Sequence, residues 1–523
     1  MINMKMTKYI VGLAITLMMG ATSCVGDLNL KPDDPNQKLA LDSREEYLAL
    51  LARAYAGLEV AGGIDVAEDG MGIYLRQLFN QQELPTDEAL ISKNWDDAGI
   101  DEMDFSIPSP DNHWCYEMYS RIYYQVALCN EFLRQIDNAG EYFTQDEITE
   151  MKAEAHVLRD LSYYHLIDIF GRGPWVDESH PIGATPQTVL RQELYDNTVE
   201  DLNKWIPLTN PASQQEYGRV SREGGLALLA KLYLNAEVYT GTPAWQECAA
   251  TCQEILKTVN TLAPTYKYLF CVTNDEYVAC KEHPVGEILW AIPQDANRME
   301  SWGGTTYLAC GAYNASVDCL PYGFNSTDKW NGPHMRPETT RNFPNGNSDS
   351  RFLFYIGSFN EDLYDISTWV PEDSDGWMCI KWVYTGRDDY YNETGMYTTD
   401  NSICSTDFPI FRVADIYLML TECELNGVSC NGLQYYNLVR QRAGVSSAGS
   451  LPTRDELLNE RNRVLYWECH RRSDLIRFGK YTGSVYNWQW KGGVQPGTAL
   501  PEYRKVMPIP VQYTPTVGQN EGY

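Results

Sequence analysis

The sequence is short of positive charge. It carries 41 Lys and Arg against 71 Asp and Glu, a formal net charge of -30 at pH 7. That balance argues against a nucleic-acid binder, because phosphate backbones are held by clustered Lys and Arg. It argues equally against adhesion to an anionic membrane surface. Catalytic signatures are missing too: there is no G-x-S-x-G, no H-E-x-x-H, no G-x-x-x-x-G-K-[ST] and no G-x-G-x-x-G after a strand. The seven histidines are scattered, and His156 and His165 share a predicted helix at a spacing too wide to share a metal. None of the 14 cysteines stands in a C-x-x-C pair; Cys248 and Cys252 lie four apart with no His/Cys cluster around them, so zinc is not expected. Most of these thiols read as buried small hydrophobes, and their disulfide pairing is not legible. With 71 acidic residues, two carboxylates close in sequence carry no information about a glycosidase pair.

Long apolar runs are also scarce. Ile10 to Met19 is one, preceded by Lys5 and Lys8 and followed by Gly20-Ala21-Thr22-Ser23 and Cys24. It is too short to span a bilayer and reads as a secretory signal. A cysteine directly after small residues is what lipoprotein processing needs, since its thiol accepts the diacylglycerol before cleavage. Cys24 is therefore the expected lipidation site; the alternative is an ordinary signal peptide with an incidental cysteine. Residues 1–23 are read as the leader and 24–42, with Asp27, Asp33 and Asp34, as a polar tether. No other segment is long and apolar enough to cross a membrane.

What remains is a chain able to bury a large core, with 44% hydrophobic residues, 36 Tyr, 14 Trp and 14 Phe. Its helices are legible from periodicity. Ser43-Arg44-Glu45-Glu46 and Thr144-Gln145-Asp146-Glu147 are capping boxes opening helices. The first buries Tyr47, Leu51, Tyr55 and Leu58; the second runs to Phe170. Further helices are predicted over Trp114 to Ile136, Glu193 to Trp205, Gly224 to Tyr239, Pro243 to Lys257 and Arg454 to Phe478. After Pro409, Val413, Ile416, Tyr417 and Leu420 form one stripe, Ala414 permits close approach, and Asn426-Gly427 supplies the stop before a second helical run from Leu433 to Val439. These segments pair into about four tetratricopeptide-like hairpins, enough for neighbours to share a core. The expected fold is mainly α, with helical repeats over about 43–60, 114–258 and 411–478. Lys505 to Gln512 reads as a short closing strand.

Two stretches, about 64–110 and 266–406, are instead dense in Gly, Asn, Asp, Ser and aromatics without long periodic patterns. Long loops held on a rigid frame commonly carry binding residues. The first contains Glu68-Asp69, Arg76 and Trp95-Asp96; the second contains Trp302, Gly303-Gly304-Thr305-Thr306-Tyr307 and Trp330. A neutral saccharide needs flat aromatics for its C–H faces and Asp, Asn or Arg for its hydroxyls, and an acidic, aromatic-rich protein suits such a ligand. Most of the aromatics must nevertheless be core.

Several local motifs carry a resemblance. FRVADIYLMLTECE (Phe411 to Glu424), RRSDLIRFGKY (Arg471 to Tyr481) and the terminal QNEGY (Gln519 to Tyr523) resemble the SusD/RagB family of surface glycan-binding lipoproteins of gut Bacteroidetes. RQLFN (Arg76 to Asn80), ELPTDE (Glu83 to Glu88), GGTTYLACG (Gly303 to Gly311) and WKGG (Trp490 to Gly493) look most like its starch-binding members. The resemblance spans the mature chain and implies one domain over 43–523: a tetratricopeptide-like scaffold with a large loop-rich binding region. It implies a shallow aromatic arc for an α-glucan helix. Tyr307 falls on the motif tyrosine, Arg76 on the motif arginine, and Trp330 on a platform tryptophan if its spacing to Phe343 is kept. Trp95 is slightly displaced from the third platform position; Asp96 stands for the family's amide, and Glu68 or Asp69 for its loop aspartate. The implied role is non-catalytic capture of starch or a related polysaccharide for a SusC-like TonB-dependent transporter. The protein would face outward from the outer membrane on its lipid anchor. No cofactor is expected, a structural calcium being left open. The competing readings are a helical-repeat adaptor for peptides or proteins, and a surface glycosidase.

Overall fold

The computed structural model describes residues 41–60, 72–91, 95, 97–277, 286–296, 298, 301–313, 317–324, 329–355, 377–384 and 403–523. The leader, Cys24 and nearly all of the tether lie outside them, as do Glu68, Asp69 and Asp96.

The frame is helical. Its main helices are α1 (Arg44–Ala56), α2 (Tyr74–Gln82), α3 (His113–Ile136), α4 (Gln145–His165), α5 (Arg191–Trp205), α6 (Arg222–Leu234), α7 (Trp245–Ile255), α8 (Val413–Leu425), α9 (Gly432–Arg442), α10 (Arg454–Leu465) and α11 (Arg471–Arg477). Neighbours stack in a continuous run: α1 on α3, α3 on α4, α4 on α5, α6 on α7, α7 on α8, and α8 on both α9 and α10. Each amphipathic helix thereby buries a stripe it could not bury alone. The expected capping box at Thr144 forms in full. At α1 only half does: Ser43 Oγ accepts from Glu46 N–H, while the Glu46 carboxylate takes the amide of Asp42 instead of Ser43.

Four expectations need correction. The stretch around 64–110 contains a helix, α2, every residue of which is buried. Its apolar residues Tyr74, Leu75, Leu78 and Phe79 do share a helical face, but the run is only 9 residues long, and its polar residues Arg76, Gln77, Asn80, Gln81 and Gln82 are enclosed as well. The helix expected to end at Tyr239 stops at Leu234, and Asn235 leads into a separate short helix, Ala236–Thr240. The helix expected over Arg454 to Phe478 breaks into α10 and α11, because Trp467 and Cys469 take φ values of 59° and 62°. This left-handed backbone puts the Trp467 indole wholly inside, 5.1 Å from the Phe79 ring centroid. Finally, Lys505 to Gln512 forms no ladder: Glu502–Lys505 is a 3-10 turn, and beyond it Met507 N–H donates to Ile169 and Ile509 N–H to the Gln519 side chain.

Short strands tie distant parts of the chain together. β1 (Ala89–Ile91) pairs antiparallel with β3 (Pro333–Met335), Ala89 opposite Met335. β2 (Ile288–Ile292) pairs with β4 (Phe408–Arg412), which runs directly into α8. Pro409, which keeps that segment extended, lies in this irregular two-stranded ladder opposite Ala291. The β1–β3 pairing brings the two loop-rich stretches side by side, and Arg336 locks the junction by donating to the carbonyls of Ala89, Asp104 and Gln489.

Charged groups are built into the frame. Asp415 on α8 pairs with Lys231 of α6 at 3.0 Å and Arg461 of α10 at 2.9 Å. Arg477 pairs with Glu422 and Asp474. All of these side chains are nearly inaccessible, and an unpaired charge there would carry a large desolvation penalty. Of the twelve described cysteines, eleven are buried and all are free thiols, in line with small core residues.

Candidate functional site

At the junction of the loop-rich stretches, aromatic rings run from the interior to the surface. The innermost is Trp114 of α3, fully buried. The Arg76 guanidinium of α2 lies 5.3 Å from its centroid, 4.7 Å from that of Tyr307 and 5.6 Å from that of Trp95. Asp97 completes this cage with an ion pair to Arg76 at 3.1 Å. Trp95 meets Tyr307 edge-on at 6.0 Å. Trp330 packs over Gly311, and its other neighbour is Trp302, with ring centroids 5.6 Å apart and planes inclined by 50°.

Hydrogen bonds fix the chain under Trp330 and on either side of Trp302. The amides of Trp330, Asn331 and Gly332 donate to the carbonyls of Cys310, Tyr313 and Gly311, so the segment is sewn to the turn after helix Thr305–Ala309. Asn331 takes a left-handed φ of 58° to make the bend. Upstream, Ser301 Oγ donates to the Glu59 carbonyl and Thr305 Oγ1 to Thr406.

Arg76, Trp95, Tyr307 and Trp330, expected together from the sequence, do converge in space. Their exposures differ from the expectation. Tyr307 is only 1% exposed: Phe79 and Trp95 meet it edge-on, the Arg76 guanidinium lies over it, and its hydroxyl donates to Asn80 at 3.3 Å. Burial raises its phenol above the ordinary tyrosine range. Arg76 is 6% exposed and committed to Asp97 and three rings. Both therefore lie beneath the surface among the neighbouring rings, where the expectation had them facing a ligand. The partly open rings are Trp95, Trp330 and Trp302, the last 39% exposed. Asp97 was missed by sequence reasoning, which favoured its neighbour Asp96; two adjacent aspartates give no signal to choose between them.

The other motifs have structural duties. The ELPTDE turn docks onto the α10–α11 break: Arg471 grips Asp87 through two hydrogen bonds of 2.6 and 2.7 Å, and the amides of Trp467 and His470 donate to Glu88 and Glu83. Burial, with the Glu88 charge adding to it, raises the Glu83 carboxyl well above its usual range. Burial opposes ionisation of Asp87 as well, yet Arg471 holds that carboxylate below its usual range. In QNEGY, Gln519 exchanges two hydrogen bonds with the Ile509 backbone, and Asn520 donates to Phe170 and Met507. In WKGG, Trp490 stacks on Phe105 and Lys491 is buried. Among the described residues no group of three or more His, Cys, Asp or Glu is arranged to hold a metal ion.

Comparison with known proteins agrees with this architecture. Residues 326–523 match the model of the SusD family, and residues 58–234 match one described as starch-binding, associating with the outer membrane. The chain is 28% identical to the starch-binding protein SusD of Bacteroides thetaiotaomicron, over 99% of this chain and all of that one. It is 24% identical to the SusD-like protein P25 of Formosa agariphila, over 76% of each. Among solved structures, surface glycan-binding protein A from Bacteroides fluxus superposes with a TM-score of 0.71 at 18% identity, covering 92% of this chain and 100% of that one. The corresponding Bacteroides thetaiotaomicron protein, in complex with laminarihexaose, gives 0.70 at 19% identity, with the same coverage. At such identities these superpositions speak to the fold, which is the mainly helical one of those proteins. Two SusD-type family models match separate parts of the chain and a SusD relative aligns with it end to end, so the chain is similar to the SusD/RagB family, whose members bind carbohydrate and are not enzymes.

Proposed function

We propose that this protein captures a polysaccharide at the cell surface, through the partly exposed tryptophans Trp95, Trp302 and Trp330, and hands it to a TonB-dependent transporter. The observation that carries this reading is that cluster: three partly exposed indoles at the junction of two loop-rich regions, with the backbone around Trp330 held by hydrogen bonds. Indoles offer stacking faces to sugar rings, and a net charge of -30 suits a neutral polymer. Starch or malto-oligosaccharide is the favoured ligand, supported by the starch-binding name of the full-length relative. Laminarin, a second curved glucan, is the runner-up, supported by a solved neighbour in complex with laminarihexaose.

Affinity electrophoresis against starch, laminarin, inulin, xylan and mannan tests the ligand. Retardation by starch is expected; retardation by another polysaccharide alone keeps the capture role and replaces the substrate, and retardation by none removes the role. Anchoring follows from Cys24: a palmitate analogue should label the wild type and not Cys24→Ala, and equal labelling would remove the anchor. A protein held outside the membrane cannot import sugar alone, and no helix among the described residues is long and apolar enough to cross a membrane. Affinity purification from native membranes should therefore recover a large barrel partner. Recovery of this chain alone, at low and high salt and with glycan present, argues against it.

A further inference from the structure

We propose that a cleft where the β2–β4 ladder ends is a second saccharide subsite, separate from the tryptophan cluster, with Tyr217 as its stacking face and Asp275, Asp295 and Arg298 as its hydroxyl partners. The inference rests on the glycan-capture reading and adds a second point at which the same polymer is held.

The ladder stops at the pair Ile292 and Phe408, and beyond it side chains cross-link the two segments. Gln294 N–H donates to Asp407 Oδ1 at 2.7 Å, and Ala296 N–H to Ser405 Oγ at 2.9 Å. Asn274 is tied to the same place: its side-chain amide donates to the Asp407 carbonyl at 2.8 Å and accepts from the Asp407 N–H at 3.2 Å. Above this floor opens a cleft of about 580 Å³, lined by Tyr217, Val272, Asp275, Gln294, Asp295 and Arg298 among others. That volume lies within the range of small-ligand sites. Tyr217 is 40% exposed. Its neighbour Gly218 seats the loop on Pro293: its φ is 81°, and a Cβ there would stand 2.7 Å from Pro293 Cγ.

The lining matches a neutral sugar. The Tyr217 ring offers a face for C–H groups, the Arg298 guanidinium donates, and the carboxylates of Asp275 and Asp295 accept. At the floor, burial raises the Asp407 carboxyl to about 8, so at neutral pH it keeps a proton and adds a donor. One guanidinium against two carboxylates makes the cleft a poor host for an anion. The cleft also borders the turn that carries Trp302. Gln294 Oε1 lies against Gly304, where a Cβ would stand 2.0 Å from it, and the carbonyl of Thr406, next to Asp407, takes the Thr305 hydroxyl at 2.6 Å. None of the lining residues belongs to the tryptophan cluster. A polysaccharide held at Trp302 is therefore at high local concentration over the cleft, and the second contact adds affinity without a second encounter.

The test is native mass spectrometry, which counts ligands per chain, together with calorimetry on the full mature chain. The probes are maltoheptaose, laminarihexaose, xylohexaose, mannohexaose and the inulin fragment kestopentaose. The variants are Tyr217→Ala, Tyr217→Phe and the combined Trp95→Ala, Trp302→Ala and Trp330→Ala chain, each checked for folding by circular dichroism. The wild type should take two molecules of at least one probe. Tyr217→Ala and the combined tryptophan variant should each take one, and Tyr217→Phe should take two because the ring remains. In affinity electrophoresis Tyr217→Ala should bind the matching polysaccharide around tenfold more weakly than the wild type. One ligand per wild-type chain, or two on a folded Tyr217→Ala, overturns the inference and leaves capture at the tryptophans standing. Binding of none of the five probes by the wild type overturns the glycan-capture reading, and the inference with it.

Discussion

The Trp95 ring lies directly against the backbone of Gly332: a Cβ on that glycine would stand 1.6 Å from Trp95 Cζ3 and 1.9 Å from Cε3. No side chain fits there, so the glycine is what lets an indole from the first loop-rich stretch lie on the second. Gly332→Ala should therefore eject Trp95 while leaving the helical frame intact. Overpacking of this kind costs about 1–3 kcal/mol. The expected result is a changed near-ultraviolet circular dichroism spectrum, an unchanged far-ultraviolet one and weaker glycan binding; an unaltered near-ultraviolet spectrum would show that the ring is not held by this contact.

Arg76 supports the site from below. Its guanidinium contacts three rings and Asp97 while 6% exposed, so Arg76→Gln should lower stability by about 1–2 kcal/mol, the range of partly desolvated cation–π contacts. Lysine should not restore it, because an ammonium lacks the planar fork that lies across several rings at once. Thermal denaturation of the wild type, Arg76→Gln and Arg76→Lys checks this. Weakened glycan binding with no loss of melting temperature would instead place Arg76 in contact with the ligand.

Asp415 is shared by Lys231 and Arg461 inside the helical stack, with Asp474 as a second partner of Arg461. Although burial opposes it, these two cations hold its carboxyl far below the usual range. Asp415→Asn would strip the buried Lys231 of its ion pair and leave Arg461 with Asp474, a defect that typically costs about 3–5 kcal/mol. A correspondingly lower urea midpoint is expected. A midpoint equal to that of the wild type would show that the neighbouring acids Asp474 and Glu422 carry the pairing unaided.

Two kinds of buried group should oppose each other in the pH dependence of stability. Burial lowers His165 to about 4, and burial with the nearby Lys231 charge lowers His470 to about 3, both from 6.5. In the folded state they stay neutral where the unfolded chain takes up protons. Their contribution is complete above pH 6.5 and is lost as the pH falls from there toward 4 and 3. Glu59 and Asp407 act in reverse: burial, with Asp407 adding to it for Glu59, raises each to about 8. The folded state retains protons that the unfolded chain releases, so stability declines as the pH rises from about 4.5 toward 8. Urea midpoints from pH 4.5 to 8.5 should show His165→Gln losing less stability than the wild type on the acid side, and Glu59→Gln losing less on the alkaline side. Curves parallel to the wild type in both variants would refute these assignments.

The sequence by itself determined the helical frame. Its amphipathic helices carry a period of 3.6, capping residues such as Ser43 and Thr144, and a glycine stop at Gly427, all local signals that survive without tertiary context. It also singled out Arg76, Trp95, Tyr307 and Trp330 through family motifs, and placed them in two loop-rich stretches. Only the tertiary structure decided how those residues are used. Residue type does not reveal that Tyr307 is covered while Trp302 is open, because the difference is made by Phe79, Arg76 and Trp95, which arrive from other parts of the chain. The helical period of α2 is short, 9 residues, and nothing local shows that its polar residues are enclosed by distant partners such as the Trp114 carbonyl for Gln81 and Asp168 for Gln82. The Trp467 turn was hidden likewise: φ near 60° on a tryptophan is unfavourable locally and is sustained by burial of the indole against Phe79. Local chemistry fixed which segments form, and long-range packing fixed which of their faces are covered and which stay open.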